Sequence, residues 1–234
     1  MPNFVIETNN HMIPTIVVSN EFKEICPQFI GVAISATVKN SMSSAGLWKE
    51  IDAFCSQLQK TYTTETIKQH SGIHATRQAY KLFGKDPSRY RPACEQLARR
   101  ILQGKGLYAV DTLVDLVNFI SLYCGYSTAA LDRNKIIGDK ICLGIGKSEE
   151  PYETIGRGML NIENVPIYRD EVGGIATPTS DNVRTMISNE TQHLVILINA
   201  YDGNQEILKK TLDFSVRLLQ EYAEASNIQY IYYK

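Results

Sequence analysis

The chain has 234 residues, of which 44 % are hydrophobic and 21 % charged, and its formal net charge is −1 at pH 7. This composition is typical of a globular protein with a substantial apolar core, and its near-neutral balance gives no global attraction to nucleic acid. No segment approaches about 18 consecutive apolar residues, so no transmembrane helix is predicted. The N-terminus also lacks the basic start and apolar centre of a signal peptide, and we therefore expect a cytoplasmic protein.

Cysteine and histidine usage argues against a metal site. The five cysteines are widely spaced and contain no C-x-x-C pair, which favours free thiols in a reducing compartment. The four histidines show no metal-ligand spacing. His70 and His74 lie four apart, but no cysteine or acid accompanies them. We expect no metal and no cofactor.

The first half of the chain is predicted to be mainly helical. Short β-branched segments bounded by proline and glycine predict strands at 15–18 and 30–37. Apolar residues then recur at helical spacing in three segments, which predicts helices at 47–60, 73–83 and 91–103. The polar stretch 61–71 is predicted as a loop or a helix extension.

A fourth helix is predicted at 111–124, with Asp111 or Thr112 as its N-cap. Apolar residues occupy more than one side of this helix, so we expect it to be covered on more than one side. Asp115 and Asn118 are therefore predicted to face an interior groove or a second layer of structure.

The second half of the chain is predicted to be mainly strands joined by turns rich in Gly, Asp and Asn, at 140–145, 165–169, 174–177, 193–199 and 228–233. A long amphipathic helix is predicted at 205–223 and is expected to close the core. Helices early and strands late, without regular alternation, favour an α+β fold with layered helices packed on mixed or antiparallel sheets. No linker divides the chain, so 1–234 is predicted as a single domain with 205–234 as a C-terminal helix and strand extension.

Positive charge is concentrated between Thr76 and Lys105. Eight basic and two acidic residues give this segment +6, which leaves −7 for the rest of the chain. A local basic face suits an anionic partner such as RNA. The alternative is a pair of solvated helices whose charges have no special role. The basic residues are Arg77, Lys81, Lys85, Arg89, Arg91, Arg99, Arg100 and Lys105.

Two stretches of the chain carry a family resemblance. The first is the basic run 87–100 followed by an ungapped run from Thr112 to Asp132 that contains Asp115 and Asn118. It resembles a short basic helix followed by V-D-V-T-N-Y, an apolar stretch, G-Q-P and L-H-A-F-D. This order is that of the B3/B4 editing module of the phenylalanyl-tRNA synthetase β subunit.

The second stretch, 181–191, leads into the apolar strand that ends at Ala200. It is similar to the family segment that precedes the last strand of the module. The resemblance covers 72–200 well and 16–37 weakly, and the residues beyond about Asn204 have no counterpart in it.

The resemblance implies a B3/B4-like fold whose groove binds the 3′ end of tRNA or aminoacyl-tRNA. A free-standing form would hydrolyse a mischarged aminoacyl ester in trans, as an aminoacyl-tRNA deacylase. No adenylation motif is present, so aminoacylation by this chain alone is not expected. A free amino acid is an alternative partner, and neither a membrane nor DNA is expected. The alternative function is a non-catalytic RNA- or amino-acid-binding module that retains the fold.

Carried over residue by residue, the family's helix asparagine corresponds to Asn118 and its aspartate to Asp115. The family's threonine is replaced by Val117 and its histidine by Ala129. The glutamate that recognises the tyrosine hydroxyl falls near Ile198. An alanine cannot orient a water molecule, and a buried hydroxyl left unpaired costs about 1–3 kcal/mol. The substrate or the catalytic groups are therefore expected to differ from those of the synthetase.

Candidate site residues follow from the resemblance and from residue chemistry. Candidates for catalysis are Asn118, Asp115 and His74, the last as a general base. Arginines are suited to the terminal phosphate, hydroxyls to hydrogen bonds in the groove, and an aromatic ring among basic residues to stacking on an unpaired base. The candidates for ligand or RNA binding are Asn118, Ser121, Arg77, Lys81, Tyr80, Arg184 and Thr191.

Overall fold

A computed structural model describes residues 13–156 and 158–234 of the chain. Within this part of the chain the helices are α1 Asn20–Ile25, α2 Ala45–Thr61, α3 Ser71–Leu82, α4 Ala93–Leu102, α5 Thr112–Cys124 and α6 Gln205–Tyr222. The strands are β1 Thr15–Val18, β2 Ile30–Thr37, β3 Thr128–Asp132, β4 Lys140–Ile145, β5 Glu153–Thr154, β6 Gly158–Met159, β7 Pro166–Arg169, β8 Gly174–Ala176, β9 His193–Ala200 and β10 Ser226–Tyr233.

Two four-stranded sheets form the centre of the fold. The first has the order β10-β2-β9-β3 and is antiparallel throughout. The second has the order β1-β4-β7-β8, in which β1 and β4 are parallel and the other pairs antiparallel. The predicted α+β class, with helices layered on mixed and antiparallel sheets, is confirmed.

The first sheet is covered on both faces. Val32 and Ile34 pack with α5 and α6, whereas Ala33 between them belongs to a core shared with the second sheet. Because β2 is buried on both faces, its sequence is an almost continuous apolar run instead of an alternating one. Each fully buried leucine or isoleucine of these layers contributes about 1.5–3 kcal/mol.

Helix α6 closes the outer layer, as predicted. Leu208, Leu212 and Leu219 are buried against β2, β9 and α5. Asn204 caps the helix through a 3.0 Å hydrogen bond from the Ile207 N–H to its side-chain oxygen. Among the described residues, no helix is long and apolar enough to cross a membrane.

The structure contains two elements that the sequence patterns did not predict. Helix α1 is only six residues long and begins at Ser19, whose hydroxyl caps Phe22. Strand β3 includes Ala129 and Ala130, which have little intrinsic preference for strands. Its conformation is fixed by pairing with β9 in the register that joins Ala129 to Leu197.

Candidate functional site

A cavity of about 550 Å³ opens beside α4 and α5. One side is formed by basic and polar residues of α4 and of the loop that follows it, and the other by Asn118 of α5 together with Thr179 and Ser180. The lining residues are Arg91, Ala93, Gln96, Leu97, Arg99, Arg100, Gln103, Lys105, Tyr108, Asn118, Ile155, Thr179 and Ser180.

A second cavity of about 400 Å³ adjoins the first and shares Arg91, Gln96 and Thr179 with it. Its other lining residues are Ser88, Arg89, Tyr90, Leu160 and Asn161. We call the two cavities together the basic groove. The described residues that line it include arginines and a lysine but no aspartate or glutamate, so the charge of the lining is positive.

Glu95 of α4 organises three arginines behind this groove. Its side chain is fully buried and accepts from Arg77 Nη1 and Arg99 Nε at 2.8 Å, while Arg91 Nε lies 3.6 Å away. One carboxylate cannot neutralise three guanidinium groups, so the cluster keeps an excess of positive charge. Because the arginines are fixed by the carboxylate, Arg91 and Arg99 hold that charge at the groove wall.

An aromatic and cationic pair forms one rim of the groove. The guanidinium carbon of Arg100 lies 3.8 Å from the centre of the Tyr108 ring, and this tyrosine is 70 % exposed. The pair presents a planar surface beside positive charge. Such a surface stacks on an unpaired nucleic-acid base.

Asn118 lies in the groove, as the sequence predicted. It is half-buried, and its side-chain amide makes no hydrogen bond to any residue in the described parts of the chain. An amide has two donor hydrogens and one acceptor oxygen. Asn118 is therefore available to bind a ligand.

Asp115 has a different role from the one considered for it. It is buried and accepts hydrogen bonds from Ser43 Oγ at 2.6 Å, Trp48 Nε1 at 3.0 Å and the Val110 N–H at 3.1 Å. These bonds occupy both carboxylate oxygens and tie α5 to the start of α2. Asp115 is a structural acceptor in the covered layer and does not line the groove.

Three other candidates are occupied within the fold. Arg77 donates to Glu95, the Pro87 carbonyl and Ser88 Oγ, which uses both terminal nitrogens of its guanidinium. Tyr80 is completely buried and its hydroxyl pairs with Thr179, so its ring cannot stack on a base. Ser121 is buried and donates to the Tyr126 carbonyl.

The remaining candidates lie outside the groove. Arg184 forms a two-bond ion pair with Asp170, and buried Thr191 donates to Asp132. His74 and Lys81 are exposed on α3, where His74 contacts Gln78. None of these four lines either cavity.

The two positions where the family residues are replaced are both buried. Ile198 belongs to the core between the first sheet and the helices. Ala129 lies on β3, next to Ala130. Neither side chain offers a polar group to the groove.

Asp181 is a titratable group at this site that the sequence analysis did not select. Its Oδ2 accepts the Ala130 N–H at 3.1 Å, and burial raises the pKa of its carboxyl group to about 7. In the sequence it is one polar residue in a turn-rich segment, Thr179-Ser180-Asp181-Asn182. Its environment results from contacts between distant segments, so no local pattern indicated it.

The donor set for a metal is also missing from the described residues. They contain no group of three or more His, Cys, Asp or Glu side chains arranged to hold an ion. Fold and groove together define an α+β domain with a basic, partly aromatic binding groove and one free amide within it.

The chain belongs to the B3/4 domain family, whose model matches residues 75–224. The family resemblance predicted from the residues is thereby confirmed. The match continues through α6, which the motif comparison left outside the module.

The comparison with curated proteins found no match. Among solved structures, the chain is similar to an N-terminal fragment of the phenylalanyl-tRNA synthetase β-subunit from Pyrococcus horikoshii. The TM-score is 0.48 and the identity 14 %, and the alignment covers 100 % of this chain and 57 % of that one.

Proposed function

We propose that this chain binds the 3′ end of tRNA or aminoacyl-tRNA in the basic groove. The observation that carries the proposal is a groove lined by arginines and lysine without an acid among its described residues. The resemblance to the editing module of synthetase β subunits supplies tRNA as the class of RNA. A free-standing form would act in trans.

The groove has the features required by a single-stranded nucleic-acid end. The phosphates of such an end attract Arg89, Arg91 and Lys105. Its unpaired bases can stack on the exposed Tyr108–Arg100 pair. Affinity for a duplex lacking an unpaired end should be weaker, because no base is free to stack.

Binding is tested by measuring tRNA affinity over a series of salt concentrations for Lys105→Ala and Arg89→Gln. Each loss of a phosphate contact should weaken binding by about threefold to tenfold and reduce the salt slope by about 0.7. Lys140→Ala is the matched control, because Lys140 is an exposed lysine on β4 of the second sheet. Equal affinities for all variants, or a wild-type affinity that does not depend on salt, would contradict the proposal.

Hydrolysis of a mischarged aminoacyl ester is a second function at the same groove. The free amide of Asn118 favours it, because a donor in a partly buried site can stabilise the oxyanion formed when water attacks an ester. Incubation with a panel of mischarged tRNAs should show ester loss that Asn118→Ala slows by about a hundredfold. Salt-sensitive tRNA binding without ester loss would instead favour the non-catalytic RNA-binding module.

A further inference from the structure

Ester hydrolysis requires a proton acceptor for the attacking water, and the residues that line the basic groove supply none. The acids nearest in the fold are already occupied. Glu95 holds its arginines with both oxygens, and Asp115 accepts three hydrogen bonds. Asp181 is the exception.

The backbone places Asp181 at the end of the groove formed by Thr179 and Ser180. It follows Ser180 directly, and its peptide oxygen accepts the N–H of Ile155, which also lines the groove. One carboxylate oxygen is fixed by the Ala130 N–H. The other has no donor among the described residues and is not sealed from solvent. The carboxylate is therefore oriented on one side and open on the other.

The surroundings of Asp181 leave its charge without compensation. No cation of the described chain lies within ion-pair distance, and the nearest titratable neighbour is the buried phenol of Tyr152. The Tyr152 hydroxyl donates to the Ser180 carbonyl at 2.8 Å, so it does not donate to the carboxylate. Burial raises the pKa of Asp181 to about 7. At this pKa the group both accepts and returns a proton near neutral pH.

We propose that Asp181 is the proton acceptor that activates water against the aminoacyl ester in the groove, an inference that rests on the proposed function. Water oxygen forms a bond to the ester carbonyl carbon while its proton passes to the Asp181 carboxylate. The tetrahedral intermediate then breaks its bond to the ribose oxygen, which receives the proton from Asp181. The products are the free amino acid and a tRNA with its terminal hydroxyl restored. No redox partner or metal enters this balance.

The test uses the full chain with a mischarged tRNA and compares Asp181→Asn with Asp52→Asn. The asparagine oxygen can still accept the Ala130 N–H, so the fold should be kept, which its circular dichroism spectrum checks. Asp52 is an exposed acid on α2 and provides the matched control. The single-turnover rate of Asp181→Asn should fall about 10²–10⁴-fold, with tRNA affinity within about twofold of wild type.

The pH profile separates a proton acceptor from a structural residue. The wild-type rate should decline below pH about 7, and the residual rate of Asp181→Asn should lose that limb. A rate within about threefold of wild type, or an unchanged acidic limb in Asp181→Asn, would overturn the role of Asp181 while leaving tRNA binding intact. Binding without hydrolysis by the wild type would also overturn it. Loss of tRNA binding in the wild type would refute the proposed function itself.

Discussion

Removing the charge of Glu95 tests whether the arginine cluster behind the groove is held by one buried carboxylate. In Glu95→Gln, one oxygen of the carboxylate becomes an NH₂ group that faces guanidinium donors. Arg77, Arg91 and Arg99 then lose their common counter-ion, although their side chains keep 16 %, 40 % and 23 % exposure. The change therefore combines a lost ion pair with two donors set against each other.

The expected cost is about 3 kcal/mol in the free energy of unfolding. Breaking a buried ion pair from one side costs about 3–5 kcal/mol, and the partial exposure of the arginines places this case at the lower end. For a chain of this size, each kcal/mol corresponds to about 2–4 °C in Tm. Urea denaturation gives the free energy and thermal unfolding gives the Tm.

Glu50→Gln is the matched control. Glu50 pairs with Arg217 on the surface, where both side chains are about one-third or more exposed, and such a pair contributes about 0–1 kcal/mol. If Glu95→Gln destabilised the protein by no more than Glu50→Gln does, the arginines would not depend on the carboxylate. The variant should also bind tRNA more weakly, because mobile arginines no longer hold charge at the groove wall.

Three further predictions concern the groove and the core. Asp181→Asn should remove a pH dependence of stability: because the folded-state pKa of Asp181 lies above its ordinary value, the wild type loses about 2–4 kcal/mol between pH 4 and 7, a loss measured by urea titration and absent in the variant. An identical pH dependence in Asp52→Asn and Asp181→Asn would contradict this. Tyr108→Ala should weaken binding of unpaired RNA by about 1–3 kcal/mol without changing the Tm, and equal affinity of variant and wild type would exclude a stacking role. Leu212→Ala should lower the free energy of unfolding by about 2–5 kcal/mol, since Leu212 is buried in the α6 layer, whereas a cost below about 1 kcal/mol would show that α6 is not part of the core.

The regular elements could be predicted because their signals are local. The apolar period of α5, the continuous apolar run of β2 and the stripe on α6 all lie within one segment. Strand β3 could not be predicted in this way, because Ala129 and Ala130 become a strand only through β9. The short helix α1 had too few residues to show a period.

The candidate site divides in the same manner. Asn118 was predicted because it lies on a helix that is apolar on several sides, and the structure places it in the groove. The basic segment was predicted as a whole, but its sequence could not distinguish the arginines that line the groove from Arg77, which is engaged internally.

The sequence by itself determined the α+β class, the family, the basic segment and the position of Asn118, since each depends on the order and spacing of nearby residues. Only the tertiary structure decided which side chains meet. Glu95 gathers arginines from α3, α4 and the loop between them, and Asp181 reaches Ala130 from a segment about fifty residues further along the chain. Burial and charge at such positions depend on contacts between distant segments, and no local pattern encodes them.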